Sequence, residues 1–212
     1  MKKVILPLLL ILAFSFLAAV ESDPSAVVGY VRYDVSPGLN LVALPMDQGF
    51  TLASEFGAYA GANIVQKWDP VSAIWNPTIT EAFPGWWDDD FAVGPGDVLL
   101  INIVARSPLY SVGSLPAPAT YSLVAGLNAV MIPLNRSDLT TGSATGTDIG
   151  ANIVQMWDPA AAIWNPTITE AFPGWWDDDF AVSIGLPLLV NVNADTTWPS
   201  RTATKAILTG SK

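Results

Sequence analysis

GANIVQKWDPVSAIWNPTITEAFPGWWDDDFAV, residues Gly61–Val93, returns almost unchanged as GANIVQMWDPAAAIWNPTITEAFPGWWDDDFAV at Gly150–Val182. Three of the 33 positions differ: Lys67 against Met156, Val71 against Ala160 and Ser72 against Ala161. A segment repeated once at this length marks a duplicated folding unit, so its flanks set the module boundaries. Upstream, YDVSPGLNLVALPM (Tyr33–Met46) aligns with YSLVAGLNAVMIPL (Tyr121–Leu134). Downstream, GDVLLINI (Gly96–Ile103) aligns with GLPLLVNV (Gly185–Val192). The closing apolar strands are read as Tyr110–Gly113 and Ala206–Gly210. Module one therefore spans 27–114 and module two 119–212, joined by the Pro-rich linker 115–119. Its two prolines favour an extended, stiff spacer.

Within each module the pattern is β. Val27–Val35 alternates, with Val27, Val31, Tyr33 and Val35 on one face. Leu39–Leu44 and Val98–Val104 are apolar on both faces and read as central strands. Pro45 and Pro133 end their strands, because proline has no N–H for a ladder. Asp69-Pro70 and Asn76-Pro77 start turns, predicting a short hairpin of Ile64–Trp68 and Ala73–Trp75. Thr51–Ala60 is the one helix candidate, with Thr51 as N-cap and Leu52, Phe56 and Tyr59 on one side. Its counterpart Asp138–Thr147 holds Thr140, Thr141, Gly142 and Gly146, poor helix formers that predict a shorter turn or a loop. The expected fold is mainly β: two tandem pseudo-symmetric antiparallel modules, sandwich or barrel-like, with at most short helical turns.

GLNLVALP (Gly38–Pro45), followed by VQKWD (Val65–Asp69) and GDVLLIN (Gly96–Asn102), resembles the G-W-N-L-I-S-L-P type of repeat found in secreted and cell-surface bacterial proteins. Leu39 and Leu127 stand where that pattern carries Trp, and no Tyr-Trp follows Gly96 or Gly185. The resemblance implies an extracellular β-rich module and no catalytic residues.

Lys2-Lys3, the apolar run Val4–Leu17 and small Ala18-Ala19 read as a secretory signal peptide, residues 1–19, with cleavage after Ala19 or after Ser22. The protein is expected to be exported, to the cell surface, the extracellular space or the periplasm, with no membrane association once cleaved. With no Cys there is no disulfide and no thiolate site, and with no His the usual zinc and copper sites are excluded. Nineteen Asp and Glu against nine Lys and Arg argue against nucleic acid as a partner.

Eight of the nine Trp lie inside the two copies, and four readings of them are open. Burial in a core is the first, since each Trp removes about 150–250 Å² from water. Neighbouring strand residues face opposite sides, so one of Trp86/Trp87 and one of Trp175/Trp176 is expected to be exposed. Calcium is the second, on Asp88, Asp89, Asp90 and on Asp177, Asp178, Asp179, carboxylate oxygens of the kind hard cations take. Carbohydrate is the third: Trp86, Trp87, Trp175 and Trp176 as platforms, with Asn76 and Asn165 as hydrogen-bond partners. Two copies would add avidity on a polymer. A glycosidase-like pair of Glu81 with Asp88 or Asp90 is the fourth. The expectation is a non-catalytic exported structural or adhesive protein that presents one surface twice and joins copies of itself, a homo-oligomer or filament. The alternative is a carbohydrate-binding module, with or without calcium. Val27–Val35 is also a candidate strand for donation to a neighbouring copy.

Overall fold

The computed structural model describes residues 28–105 and 108–199. The signal peptide and the strand expected at Ala206–Gly210 lie outside the described residues. Module one runs β1 (Val28–Asp34), β2 (Gly38–Ala43), α1 (Ala53–Ala60), β3 (Ala62–Asp69), β4 (Ile74–Phe83), β5 (Trp86–Trp87), β6 (Val98–Ile103) and β7 (Pro108–Ser114). Module two repeats this as β8 (Tyr121–Leu123), β9 (Gly126–Met131), α2 (Gly142–Ile149), β10 (Ala151–Asp158), β11 (Ile163–Phe172), β12 (Trp175–Trp176), β13 (Pro187–Val192) and β14 (Thr196–Trp198). Each module holds a five-stranded sheet, β2-β6-β3-β4-β5 or β9-β13-β10-β11-β12, and a two-stranded one, β1-β7 or β8-β14. Every pairing is antiparallel. The sheets are open rather than closed into barrels, and the mainly-β tandem architecture is the one expected.

Several local expectations are corrected. β2 lies at the edge of its sheet, not in the middle. It reads as doubly covered because the second module packs over it: Met131 joins the first module's core, and Trp157 and Trp164 pack against it. An edge strand closed off in this way is not left as a template for stray pairing. β4 is ten residues long and continues straight through Asn76-Pro77, which is a cis peptide, rather than turning there. β1 is paired along its whole length with β7 of its own chain, which does not leave it free as a donated strand. In module two Tyr121–Leu123 pairs with β14, a strand at Thr196–Trp198 that the sequence reading did not include.

The helices hold the largest correction. α2 is as long as α1, eight residues, despite its poor helix formers. The Thr141 hydroxyl caps it by accepting from Ala144 N at 3.2 Å, and the buried Thr145 hydroxyl donates to Thr141 O at 2.9 Å. Its glycines are there for contact: a Cβ on Gly146 would strike the Trp176 ring, and one on Gly142 would meet Phe180. Tertiary packing overrides propensity here. In α1 the buried face is Ala53, Phe56, Gly57 and Ala60, while Leu52 and Tyr59 face solvent. Thr51 does not act as the cap. Instead the Glu55 carboxylate turns back to accept from Thr51 N at 2.8 Å and Leu52 N at 3.1 Å, satisfying backbone donors ahead of the first turn.

The motif asparagines are structural. Asn40, 2% exposed, accepts from Ser36 N and donates to Ser36 O and Gly38 O. Asn128 does the same with Val124 and Gly126. Each ties down the turn leading into its edge strand, leaving no buried amide unpaired.

The modules meet around an approximate two-fold axis, and the hydrogen bonds across it come in pairs. Trp68 Nε1 donates to Leu127 O and Trp157 Nε1 to Leu39 O, both at 2.8 Å. Tyr33 donates to Gly185 O and Tyr121 to Gly96 O, again both at 2.8 Å. Trp68 and Trp75 form an edge-to-face pair at 5.2 Å, and Trp157 and Trp164 one at 5.1 Å. Four of the repeated indoles therefore build the junction between the copies. One repeat difference is coupled to another: Lys67 pairs with Asp97 at 2.7 Å, whereas the equivalent positions carry Met156 and Leu186, both packed on the second core.

Candidate functional site

What remains of the repeat after the core and the junction are built is a hairpin tip. β4 and β5 pair Glu81 with Trp87 and Phe83 with Trp86, leaving Pro84-Gly85 as a two-residue turn. Proline presets φ at its position, and Gly85 takes φ 78°, a left-handed value that suits glycine. The Glu81 carboxylate locks the turn by accepting from Gly85 N at 2.6 Å, and Glu170 does so from Gly174 N at the same distance. Alternation then decides the fate of the Trp pair. Trp87 points inward onto Gly57 of α1, where a Cβ would stand 2.5 Å from its ring. Trp86 points out, 57% exposed, beside Phe83 at 70%, with their rings 6.3 Å apart.

Module two repeats the arrangement: Trp175 is 56% exposed and Phe172 71%, also 6.3 Å apart. Trp176 turns in over Gly146 and donates to the Thr147 hydroxyl at 3.2 Å. Exposed aromatic rings on a rigid turn are costly to leave in water, and here the same pair is left out twice.

The aspartates are divided among structural tasks. Asp88 accepts from Thr80 N at 2.5 Å while its own N–H donates to Thr80 O, fastening the segment after β5 to β4. Asp90 accepts from Ser54 N at 3.2 Å and from the Ser54 hydroxyl at 2.5 Å, placing a negative charge at the first turn of α1. Asp177 and Asp179 repeat this on Thr169 and Ser143. Burial alone would raise the Asp179 pKa. Hydrogen bonds from the Ser143 hydroxyl, Ser143 N and Phe180 N outweigh it and hold the carboxyl below the usual carboxylate range. Asp89 and Asp178 are exposed at the bend. Among the described residues no three carboxylates converge in a way that could hold a metal ion.

Asn76 and Asn165 are exposed but do not join the tips. Asn76 lies five residues before Glu81, the partner of Trp87, which is roughly 17 Å along an extended strand. The residues proposed together from sequence thus separate: Trp86 and Trp175 at the tips, Trp87 and Trp176 under the helices, and the asparagines at the far end of the hairpin. Phe83 and Phe172 were missed, although aromatics flanking Pro-Gly in FPGW signal a tight turn that holds both outward.

Away from the tips, clefts lie along the junction and under the linker. Two are related by the pseudo-two-fold: one of about 160 Å³ beside Lys67, Trp68 and Asp97, and one of about 180 Å³ beside Met156, Trp157 and Leu186. The third, about 280 Å³, lies under the linker. No family model matches the chain, and no curated protein or solved structure matches it significantly.

Proposed function

We propose that this is a non-catalytic exported structural or adhesive protein whose duplicated modules display one aromatic tip twice. The observation that carries this reading is the outward placement of Phe83 with Trp86 and of Phe172 with Trp175, each on a turn locked by a glutamate. Locked aromatics lose little side-chain freedom on contact, which suits an adhesive surface. Glu81, Asp88 and Asp90 have hydrogen-bonding work within the fold, which favours binding over acid–base chemistry. Export is supported by the residues Lys2–Ala19. Glycan is the less favoured ligand, because the amides that would complement a sugar stand far from the exposed rings.

The test compares the mature chain with a Trp86→Ala/Trp175→Ala double variant. Wild type is expected to self-associate at high concentration or to sediment with insoluble surface polymers, and the variant to do neither. A wild-type chain that stays monomeric and binds no polymer rejects the reading. Saturable binding to one soluble glycan, lost in the double variant, would establish the carbohydrate alternative.

A further inference from the structure

We infer that the apolar pocket under the linker receives the aromatic tip of a second copy of this chain, so that molecules join head to tail. This rests on the structural reading above and names the partner and both contacting surfaces.

The pocket is a product of asymmetry between the modules. Pro45, Leu115, Pro116, Pro118, Met131 and Leu134 form most of its wall, around a space of about 280 Å³. On the other side of the pseudo-two-fold larger side chains stand at the equivalent positions. Val31 stands where Ala119 stands here, its methyls 3.1 and 3.2 Å from where a Gly185 Cβ would be. Met46 stands where Leu134 does, its terminal methyl 2.7 Å from a Cβ on Gly29. Shorter side chains at 119 and 134, and prolines in place of a paired strand, leave the second site open.

Size and chemistry select the occupant. Sites for whole small molecules run from about 300 Å³ upward, so this volume suits one or two side chains. Its wall is apolar except for Asn135 and offers no charged group to orient a polar ligand. The same molecule carries two exposed, rigid Phe–Trp tips that want such a wall. The pocket also draws on both modules, so an inserted tip extends the existing junction.

The areas fit a weak contact. Phe83 and Trp86 are 70% and 57% exposed, so at about 150–250 Å² per aromatic a tip offers roughly 250 Å². With a matching area from the pocket this falls short of the roughly 1,200 Å² of a stable dimer. One tip in one pocket is therefore a weak contact, and assembly is expected only at high protein concentration. Tip into pocket is a heterologous contact, which propagates unless its rotation closes a ring.

Two variants test this by sedimentation velocity over a wide concentration range. One lacks both tips (Trp86→Ala/Trp175→Ala). The other blocks the pocket with Leu115→Glu at an exposed position. A second pocket variant, Ala119→Val/Leu134→Met, fills the space in the manner of Val31 and Met46 without adding charge. Each variant alone is expected to associate at least about tenfold more weakly than wild type. Mixed, tipless and pocket-blocked chains should form complexes that stop at one pocket-blocked molecule with two tipless ones. If assembly needs the tips but ignores both pocket variants, the pocket assignment is wrong and the structural reading stands. If no assembly occurs but the tips bind a surface polymer, the pocket assignment again falls and the adhesive reading survives. If wild type neither assembles nor binds, both fall.

Discussion

Trp157 donates its indole N–H to the carbonyl of Leu39, 118 positions earlier in the chain, at 2.8 Å. Leu39 lies on an edge strand, so its carbonyl has no ladder partner on that side. Trp68 gives Leu127 the same service. The junction is thus the means by which each module's open sheet edge is satisfied. Trp157→Phe and Trp68→Phe each remove one donor and leave one carbonyl short, at about 1–3 kcal/mol apiece. Equivalence of the two sides predicts losses within about 0.5 kcal/mol of each other in denaturant unfolding. One variant costing several times the other would contradict the pseudo-two-fold junction.

Tyr33 and Tyr121 predict an alkaline limit. Burial pushes both phenols well above their ordinary value, and both donate across the junction. A raised folded pKa means that the stabilisation is complete below the unfolded value, about 10. It is lost as pH rises beyond that towards the folded values, because unfolding then releases protons. Stability should be flat from neutral to about pH 9 and fall steeply above pH 10. Tyr33→Phe should lower stability at neutral pH by about 1 kcal/mol and make the alkaline fall shallower. Denaturant midpoints across that range read both effects, and an unchanged alkaline slope in Tyr33→Phe would remove this tyrosine from the account.

Gly57 and Gly146 are helix-interior glycines, and on propensity alone alanine would stabilise by about 1 kcal/mol. The Trp87 and Trp176 rings occupy the space a methyl needs. Overpacking of this kind costs about 1–3 kcal/mol, so Gly57→Ala and Gly146→Ala should destabilise on balance. Near-ultraviolet circular dichroism should show the displaced indole. A gain in melting temperature in either variant would mean that the rings are not seated as described.

The modular β architecture could be read from the repeat, because a period of about 88 residues with strand alternation and Pro-Gly turns is a local signal. The strands ending at Pro45 and Pro133 were legible for the same reason. Positions decided by distant partners were not. Nothing near Gly142 or Gly146 announces that an indole or a phenyl ring will press on the helix, so the residues there predict only a shorter helical turn or a loop. The apolar run at Leu39–Leu44 signals burial, but not that a second module supplies it. The Trp-Asp cluster was visible as a concentration of residue types, while its division into tip, core and helix latch depends on β-alternation and on Ser54 and Ser143, 36 residues upstream of their aspartates. Trp198 carried no repeat signal. It fills the second core, stacked on Tyr121 at 5.8 Å and donating to Asp148 at 2.7 Å.

The aspartate run provides the last prediction, which separates a latch from a metal site. Asp179 is bound by Ser143 and Phe180, and its pKa is held low. A depressed folded pKa gives stability that is present above the unfolded value of about 3.9 and is lost as pH falls through the folded one. Asp179→Ala removes a carboxylate from the start of α2 and should cost about 1–2 kcal/mol at neutral pH, with less difference from wild type at pH values near 3. Ser143→Ala should reproduce part of the loss, since it removes the hydroxyl that donates to the same group. A ligand that binds only the folded state raises melting temperature with its concentration. Chelator, and millimolar calcium added back, should therefore leave the melting temperature of wild type unchanged. A fall with chelator that calcium reverses, and that Asp179→Ala abolishes, would turn the latch into a cation site.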